Sequence, residues 1–259
     1  MFDQFQNNEI VWITFINVAY IEFAMNFLES MKLSNCKFKL IIFCVDKEII
    51  DRLQSYDNCY CIDAKVFLRY TVSSEKVQWE DFEYIKLNFA KLDVMLYAKK
   101  MLLAQNVKYI NYVDTDIILF SDPMIMAKEY IDKYPDSDFI FQCDEGHTVK
   151  YCSNPTRCPD ICAGFILIKN NPETNYILEY TEADYVGNTS DQSYLNRRVK
   201  QFNINYATFD RKKCMNGAHN NSFKLPIQND LCLLHFNYLK GNDIKKKKMK
   251  EMNLWYLDK

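Results

Sequence analysis

Two aspartates separated by one residue, Asp114 and Asp116, follow an apolar run, Tyr109-Ile110-Asn111-Tyr112-Val113, and precede another, Ile117-Ile118-Leu119-Phe120. In extended backbone, residues i and i+2 project to the same side, so both carboxylates are expected to face one place. Neighbouring carboxylates in an apolar setting repel each other and lose hydration, a cost that a positive charge between them offsets. A divalent cation suits such hard oxygen donors, and Mg²⁺ or Mn²⁺ keeps positions open for substrate phosphates. A second reading is a turn at a strand end, where Asp bonds nearby backbone.

Further along, residues 234–245 read L-H-F-N-Y-L-K-G-N-D-I-K. His235, at the end of an apolar run, can complete a metal site. Gly241 lets backbone come close to a phosphate, and Lys245 places a point charge where a helix opens. The plainer alternatives are a hydrogen-bonded core histidine and, for the lysine run 245–248, a solvated helix face.

The elements that must position these groups follow from hydrophobic spacing. Residues 10–16, 38–45, 59–62, 109–113, 139–143, 165–168 and 231–236 read as strands, rich in β-branched and aromatic side chains. Helical spacing runs over 19–31, 47–53, 83–103, 172–185, 190–200 and 243–252. Asp46 and Ser190 stand where they can cap the helices that follow them. Strand and helix alternate, so an α/β domain with a mainly parallel sheet is expected. Open sheets of this kind bind ligands at the carboxyl ends of their strands. Asn17, Asp46 and the Asp114/Asp116 pair fall at such ends and are expected to share one crevice.

Composition sets the outer limits. Of 259 residues, 49% are hydrophobic and 15% aromatic, which provides for a substantial core and excludes wholesale disorder. A net charge of −2 gives no overall electrostatic reason to expect nucleic-acid binding. With 5 Gly and 6 Pro no flexible linker is visible, so residues 1–259 are expected to form a single domain. The first residues lack a signal peptide's basic start and apolar centre, and no apolar run approaches the ~20 residues of a transmembrane segment. A cytoplasmic location is therefore expected, with the 10 cysteines as thiols. Cys143, Cys152, Cys158 and Cys162 cluster around His147, but their spacing fits no usual zinc knuckle, and ordinary buried or loop cysteines are expected.

Taken in order, these pieces resemble the nucleotide-diphospho-sugar transferases, glycosyltransferases of the GT-A fold, in the broad group that holds the glycogenin-like and plant-wall enzymes. The resemblance implies one Rossmann-like GT-A domain with a donor-binding half over about 1–123 and an acceptor half over about 124–259. Ile13-Thr14-Phe15-Ile16-Asn17 is similar to the segment that holds the nucleotide base, which assigns donor contacts to Thr14, Phe15 and Asn17. Lys91 matches a basic position that meets the donor. Asp114-Thr115-Asp116 with the trailing Asp122-Pro123 is the most specific match. Ala163-Gly164-Phe165 is similar to the segment beside the donor sugar, and Asp191-Gln192, within Thr189 to Asn196, to a D-Q-x-x-L-N pattern near the acceptor. Asn216-Gly217 resembles a turn before the last strand, and His235 to Lys245 the end that binds metal and diphosphate. Two features depart from the pattern: Cys162 stands where many relatives carry Asn, and the cysteine-rich insert between Asp144 and Asp160 has no counterpart.

The implied chemistry is metal-dependent sugar transfer, probable donors being UDP-sugars and the acceptor a glycan, protein or lipid. Asp114, Asp116 and His235 would hold Mn²⁺ or Mg²⁺ on the diphosphate, and Lys245 would add a second positive charge. The sugar would move with oxocarbenium character, with retention of configuration and with Asp191 or Gln192 nearest the reacting carbon. Three rivals were set beside this. A haloacid-dehalogenase-like phosphohydrolase also carries D-x-D after an apolar strand, but near its N-terminus and followed by small residues. A nucleotidyltransferase opens with a Gly-rich loop, which is missing here. A catalytically inactive sugar-nucleotide-binding relative would look the same in these motifs.

Overall fold

The structure is a computed structural model and describes residues 2–75, 81–144, 156–186, 190–217 and 230–258. Chain order begins with β1 (Ile10–Ile16), α1 (Ile21–Leu33), β2 (Leu40–Cys44), α2 (Lys47–Leu53), β3 (Cys59–Asp63) and the long α3 (Phe82–Leu103). It continues through β4 (Tyr109–Val113), β5 (Ile117–Leu119), α4 (Pro123–Lys133), β6 (Phe139–Cys143), β7 (Ile161–Lys169), α5 (Glu182–Val186) and α6 (Asp191–Gln201). The last elements are β8 (Tyr206–Thr208), β9 (Cys214–Asn216), β10 (Leu233–His235) and α7 (Asn242–Glu251).

Seven strands form the main sheet in the order β3-β2-β1-β4-β7-β6-β8. Neighbours pair in parallel except on either side of β7, which runs antiparallel to both β4 and β6. The mainly parallel mixed sheet expected from the sequence is thus present. Every residue of β1 is buried, which is why it reads as an unbroken apolar run rather than an alternating one. Two apolar clusters cover the two faces of this sheet. One holds Phe89, Val94 and Leu102 of α3, and the other holds Phe27, Leu28 and Met31 of α1. A small sheet, β5-β10-β9, stands apart from the first.

Most elements lie where the hydrophobic pattern puts them, with four corrections. The helix expected over 172–185 is broken: a 3-10 turn spans Pro172–Ile177, and only the short α5 follows. Side chains take the carbonyls that a continuous helix would use internally. Arg198 bonds the carbonyl of Tyr176, Tyr194 that of Glu179 and Arg69 that of Tyr180. Asp46 stands at the N-cap position of α2 but makes no side-chain cap. Its carboxylate instead accepts from the Val18 amide (3.1 Å) and from the Ser74 hydroxyl, joining β2 to the exit of β1. Asp122-Pro123 proves to be a helix start: the Asp122 carboxylate accepts from the Met124 amide at 3.0 Å and Pro123 opens α4. The strands β8 and β9, three residues each, are too short for any periodicity to reveal.

Candidate active site

The D-x-D segment is the crossing between the two sheets rather than the middle of one strand. β4 ends at Val113, paired with Phe165, and the Asp114 amide donates to the Gly164 carbonyl at 2.7 Å. Two residues later the chain has joined the small sheet, where Ile117 pairs with His235 and the Asp116 carbonyl accepts from the Phe236 amide at 2.9 Å. Asp114 is thus fixed to β7 and Asp116 to β10. The two carboxylates and the imidazole converge, with one ligand atom from each of Asp114, Asp116 and His235 all within 4.8 Å of one another.

The imidazole is oriented by its second nitrogen. His235 Nδ1 lies 2.9 Å from Gln142 Oε1, while the Gln142 amide nitrogen donates to the Met215 carbonyl at 3.1 Å. This fixes Oε1 as an acceptor and places the histidine proton on Nδ1, so the Nε2 lone pair faces Asp116 Oδ1 at 3.1 Å. Gln142 is invisible to motif reading, although a polar residue in an otherwise apolar strand is itself a signal. Gly164 is required here by space. A Cβ on it would stand 2.2 Å from His235 Cε1 and 2.8 Å from Asp114 Oδ2.

Two lysines neutralise the carboxylates. Lys245, near the start of α7, reaches Asp116 Oδ2 at 2.5 Å. Burial pushes the Asp116 carboxyl up, yet the Lys245 ammonium and the His235 imidazole outweigh it and hold it well below the usual carboxylate range. Lys91, on α3, lies 3.2 Å from Asp114 Oδ1 and 2.9 Å from Asp191 Oδ2. Burial pulls the Lys91 ammonium down, but Asp114 and Asp191 raise it well above its ordinary value, so it stays charged. The Tyr112 hydroxyl donates to Asp114 Oδ1 at 2.9 Å.

Asp191 opens α6, which Ser190 caps by accepting from the Ser193 amide at 3.1 Å. The next residue, Gln192, accepts from the Ala163 amide (3.3 Å) and donates to Asp144 Oδ2 (2.7 Å). Asp144 also receives Asn216 Nδ2 at 3.1 Å and the Tyr238 hydroxyl at 2.7 Å. Burial pushes its carboxyl up to about 6 against the hydrogen bonds from Tyr238 and Gln192.

A crevice of about 530 Å³ opens beside the acidic cluster, lined by Phe15, Asn17, Lys91, Asp114, Thr115, Asp116 and Lys245. Tyr20, Tyr84 and Asn88 complete its wall, and sequence motifs single out none of them. Tyr84, Asn88 and Lys91 do have the i, i+4, i+7 spacing of one helix face. Asn17 donates to the carbonyls of Ser73 (3.0 Å) and Glu75 (3.2 Å). Thr14, Ala163 and Gly241 are not among the lining residues: Thr14 and Ala163 are buried, and Gly241 precedes α7 with φ of 97°. Cys162 is buried with its sulfur 3.7 Å from His235 Nδ1. The cysteines among the described residues are free thiols. His147, Cys152 and Thr189 lie outside the described residues.

The sequence profile of the nucleotide-diphospho-sugar transferases matches residues 38–252. The chain belongs to that family. Solved structures similar to the transferase include the galactosyltransferase LgtC in complex with donor and acceptor sugar analogs, with a TM-score of 0.56 at 9% identity over 94% of each chain. Mouse xyloside xylosyltransferase 1 gives 0.56 at 13% identity, covering 90% of this chain and 99% of that one. GlyE of Streptococcus pneumoniae gives 0.56 at 17% identity over 90% of this chain and 56% of its own. At these identities the likeness is one of fold, the GT-A fold. A search of curated protein sequences gives no match. Among the described residues no helix is long and apolar enough to cross a membrane.

The donor set of the transferase fits a hard divalent cation: two carboxylates, an imidazole with its free lone pair aimed at them, and a glutamine that fixes the tautomer.

Proposed function

We propose that this transferase moves a sugar from a nucleoside-diphosphate donor, in the first place a UDP-sugar, to an acceptor hydroxyl, with cation dependence and retention of configuration. The observation that carries it is the convergence of Asp114, Asp116 and His235 beside a crevice that Lys245 and Lys91 also line. Asp114, Asp116 and His235 would hold Mn²⁺ or Mg²⁺, which when bound neutralises charge on the departing diphosphate. Lys245 supplies a second positive charge at the leaving group, on a side chain 16% exposed and therefore weakly screened. Phe15, Asn17 and Thr115 take the nucleoside, with Thr14 supporting the base segment from β1. Ala163 and Gly164 border the sugar, and Gly241 lets α7 approach the phosphates.

Lys91 holds Asp191 against Asp114, so the group assigned to the reacting carbon is positioned from the metal segment itself. Asp191 and Gln192 face the reacting sugar from the acceptor side. Residues 1–123 form the donor half and 124–259 the acceptor half of one domain. A cytoplasmic location fits the free thiols. The family match leaves no support for the phosphohydrolase reading.

A panel of hexosyl and pentosyl nucleotides, incubated with Mn²⁺ and separately with chelator, tests the proposal. Release of nucleoside diphosphate only with the cation is expected. Inorganic phosphate as the product, or undiminished turnover under chelation, overturns it.

A further inference from the structure

We propose that the ring of Tyr238 is the platform on which the acceptor sits, and that the acceptor presents a pyranose sugar there. This deepens the transferase reading above and rests on it.

Tyr238 lies three residues beyond His235 with φ of 62°, a left-handed conformation that aromatic residues adopt rarely. Its neighbours Phe236 and Leu239 pack inward on the cluster of Leu234, Met249 and Trp255. Tyr238 turns the other way and is 49% exposed. The exposure is at the ring, because the hydroxyl is tied down: it donates to Asp144 Oδ2 at 2.7 Å and lies 3.3 Å from the Asp144 carbonyl. Asp144 is itself 9% exposed and held by Gln192 Nε2 and Asn216 Nδ2. A single carboxylate therefore joins the open ring to Gln192, the neighbour of Asp191. The ring is rigid, half-open and one residue removed from the group assigned to the reacting carbon.

A pyranose matches this combination. One of its faces is a patch of C–H bonds, which the negative face of an aromatic ring attracts, and its rim is hydroxyls that need polar partners. Asn237 offers such a partner, since its amide nitrogen has only long contacts, 3.5 Å to Asp144 Oδ1 and 3.7 Å to Cys162 Sγ. A lipid chain would call for apolar neighbours around the ring, and those at hand, Phe236 and Leu239, are turned into the core.

The test uses the full chain with UDP and Mn²⁺ and, as probes, the methyl glycosides of galactose, glucose and xylose. Saturation-transfer NMR reads binding, and transfer from the best donor reads acceptor KM. Tyr238→Gly removes the ring at a φ that glycine accepts freely, so loss of the fold is not the expected outcome. We expect acceptor KM, or the dissociation constant by NMR, to rise at least tenfold, with kcat changed less. Tyr238→Phe keeps the ring, loses the Asp144 tether and should give a smaller rise. Glycoside binding and KM unchanged in Tyr238→Gly overturn the proposal. So does a wild-type protein that binds none of the glycosides, or that transfers to a peptide or lipid instead. Failure of the transferase reading looks different: no donor yields nucleoside diphosphate, while the NMR arm still reports whether glycosides touch Tyr238.

Discussion

The ammonium of Lys91 sits 2.9 Å from the carboxylate of Asp191, and the same nitrogen lies 3.2 Å from Asp114. One cation thus joins α3, the D-x-D crossing and the start of α6. Lys91→Met leaves two enclosed carboxylates facing each other without a counter-charge. Breaking such a buried pair costs about 3–5 kcal/mol, and chemical denaturation should show a loss of that order. Added Mn²⁺ should recover part of it, because a cation on Asp114 relieves the same repulsion. A loss below about 1 kcal/mol would mean that the pair is effectively solvated.

Asp191 also separates chemistry from capping. Its side chain is 5% exposed and engaged with Lys91, so a purely solvent-side helix-capping role is a poor description. Asp191→Asn should lower transfer at least a hundredfold while calorimetry finds donor and Mn²⁺ affinity within a few-fold of wild type. Unchanged turnover with a slightly lower melting temperature would return Asp191 to helix stabilisation, worth about 0.3–1 kcal/mol.

Gly164→Ala is the smallest change that should disable the site. The new methyl would meet the imidazole at 2.2 Å and the Asp114 carboxylate at 2.8 Å, in a place where neither can retreat without leaving the cluster. Mn²⁺ affinity, followed by electron paramagnetic resonance, should fall at least tenfold. Wild-type affinity in this variant would mean that His235 is not a ligand.

Lys245 differs from the rest of its run in what it touches. It pairs with Asp116 at 2.5 Å, whereas Lys246 pairs with Glu22 and Lys248 with Glu251. Loss of a charge-assisted phosphate contact costs about 1.5–3 kcal/mol. Lys245→Ala should weaken UDP binding by that amount in titration calorimetry, and Lys248→Ala should scarcely change it. Equal, small effects at both positions would reduce the run to a solvated face.

Lys99 provides a pH signature unrelated to the active site. It is 1% exposed and donates to the Lys169 carbonyl (3.0 Å) and to Thr174 Oγ1 (3.1 Å). Burial lowers its pKa from the ordinary 10.5 to about 8, with Asp138 opposing. Below pH 8 the charged form is buried at full cost. Between about pH 8 and 10.5 the unfolded chain binds more protons than the folded one, so this contribution rises with pH. By linkage the gain from pH 7.5 to 9.5 is about 2 kcal/mol. The difference between wild type and Lys99→Met in urea denaturation should shift by that amount over this interval. Parallel profiles would show that Lys99 does not titrate there.

Much of this was legible because burial leaves a plain trace. β1 and β4 are apolar throughout, and the D-x-D, the Asp-Gln and the histidine all stand at element ends. The misses are of two kinds. The 172–185 helix has helical spacing but loses its carbonyls to Arg198, Tyr194 and Arg69, partners that only tertiary structure brings near. Asp46 has a capping residue's type and place, yet Val18 and Ser74 compete successfully for its oxygens. Gln142, Asp144 and Tyr238 are lone polar or aromatic residues, and their roles come from contacts 48 to 94 positions away.

The last stretch of chain lies against the first helix. The Asn26 amide donates to the Leu254 carbonyl at 3.0 Å and its oxygen accepts from the Tyr256 amide at 2.6 Å, while Phe23 meets Trp255 edge-on at 5.5 Å. His235 and Lys245 belong to the segment this clasp secures. During synthesis, β1 to β4 and both aspartates emerge well before the imidazole and ammonium that complete the cluster. A nascent chain can therefore build the crevice wall while still inert, and competence arrives only with the clasp. Ribosome-arrested chains ending before residue 233 should fold β1–β4 without acquiring tight Mn²⁺ binding, which places the ignition of this enzyme at the end of its own translation.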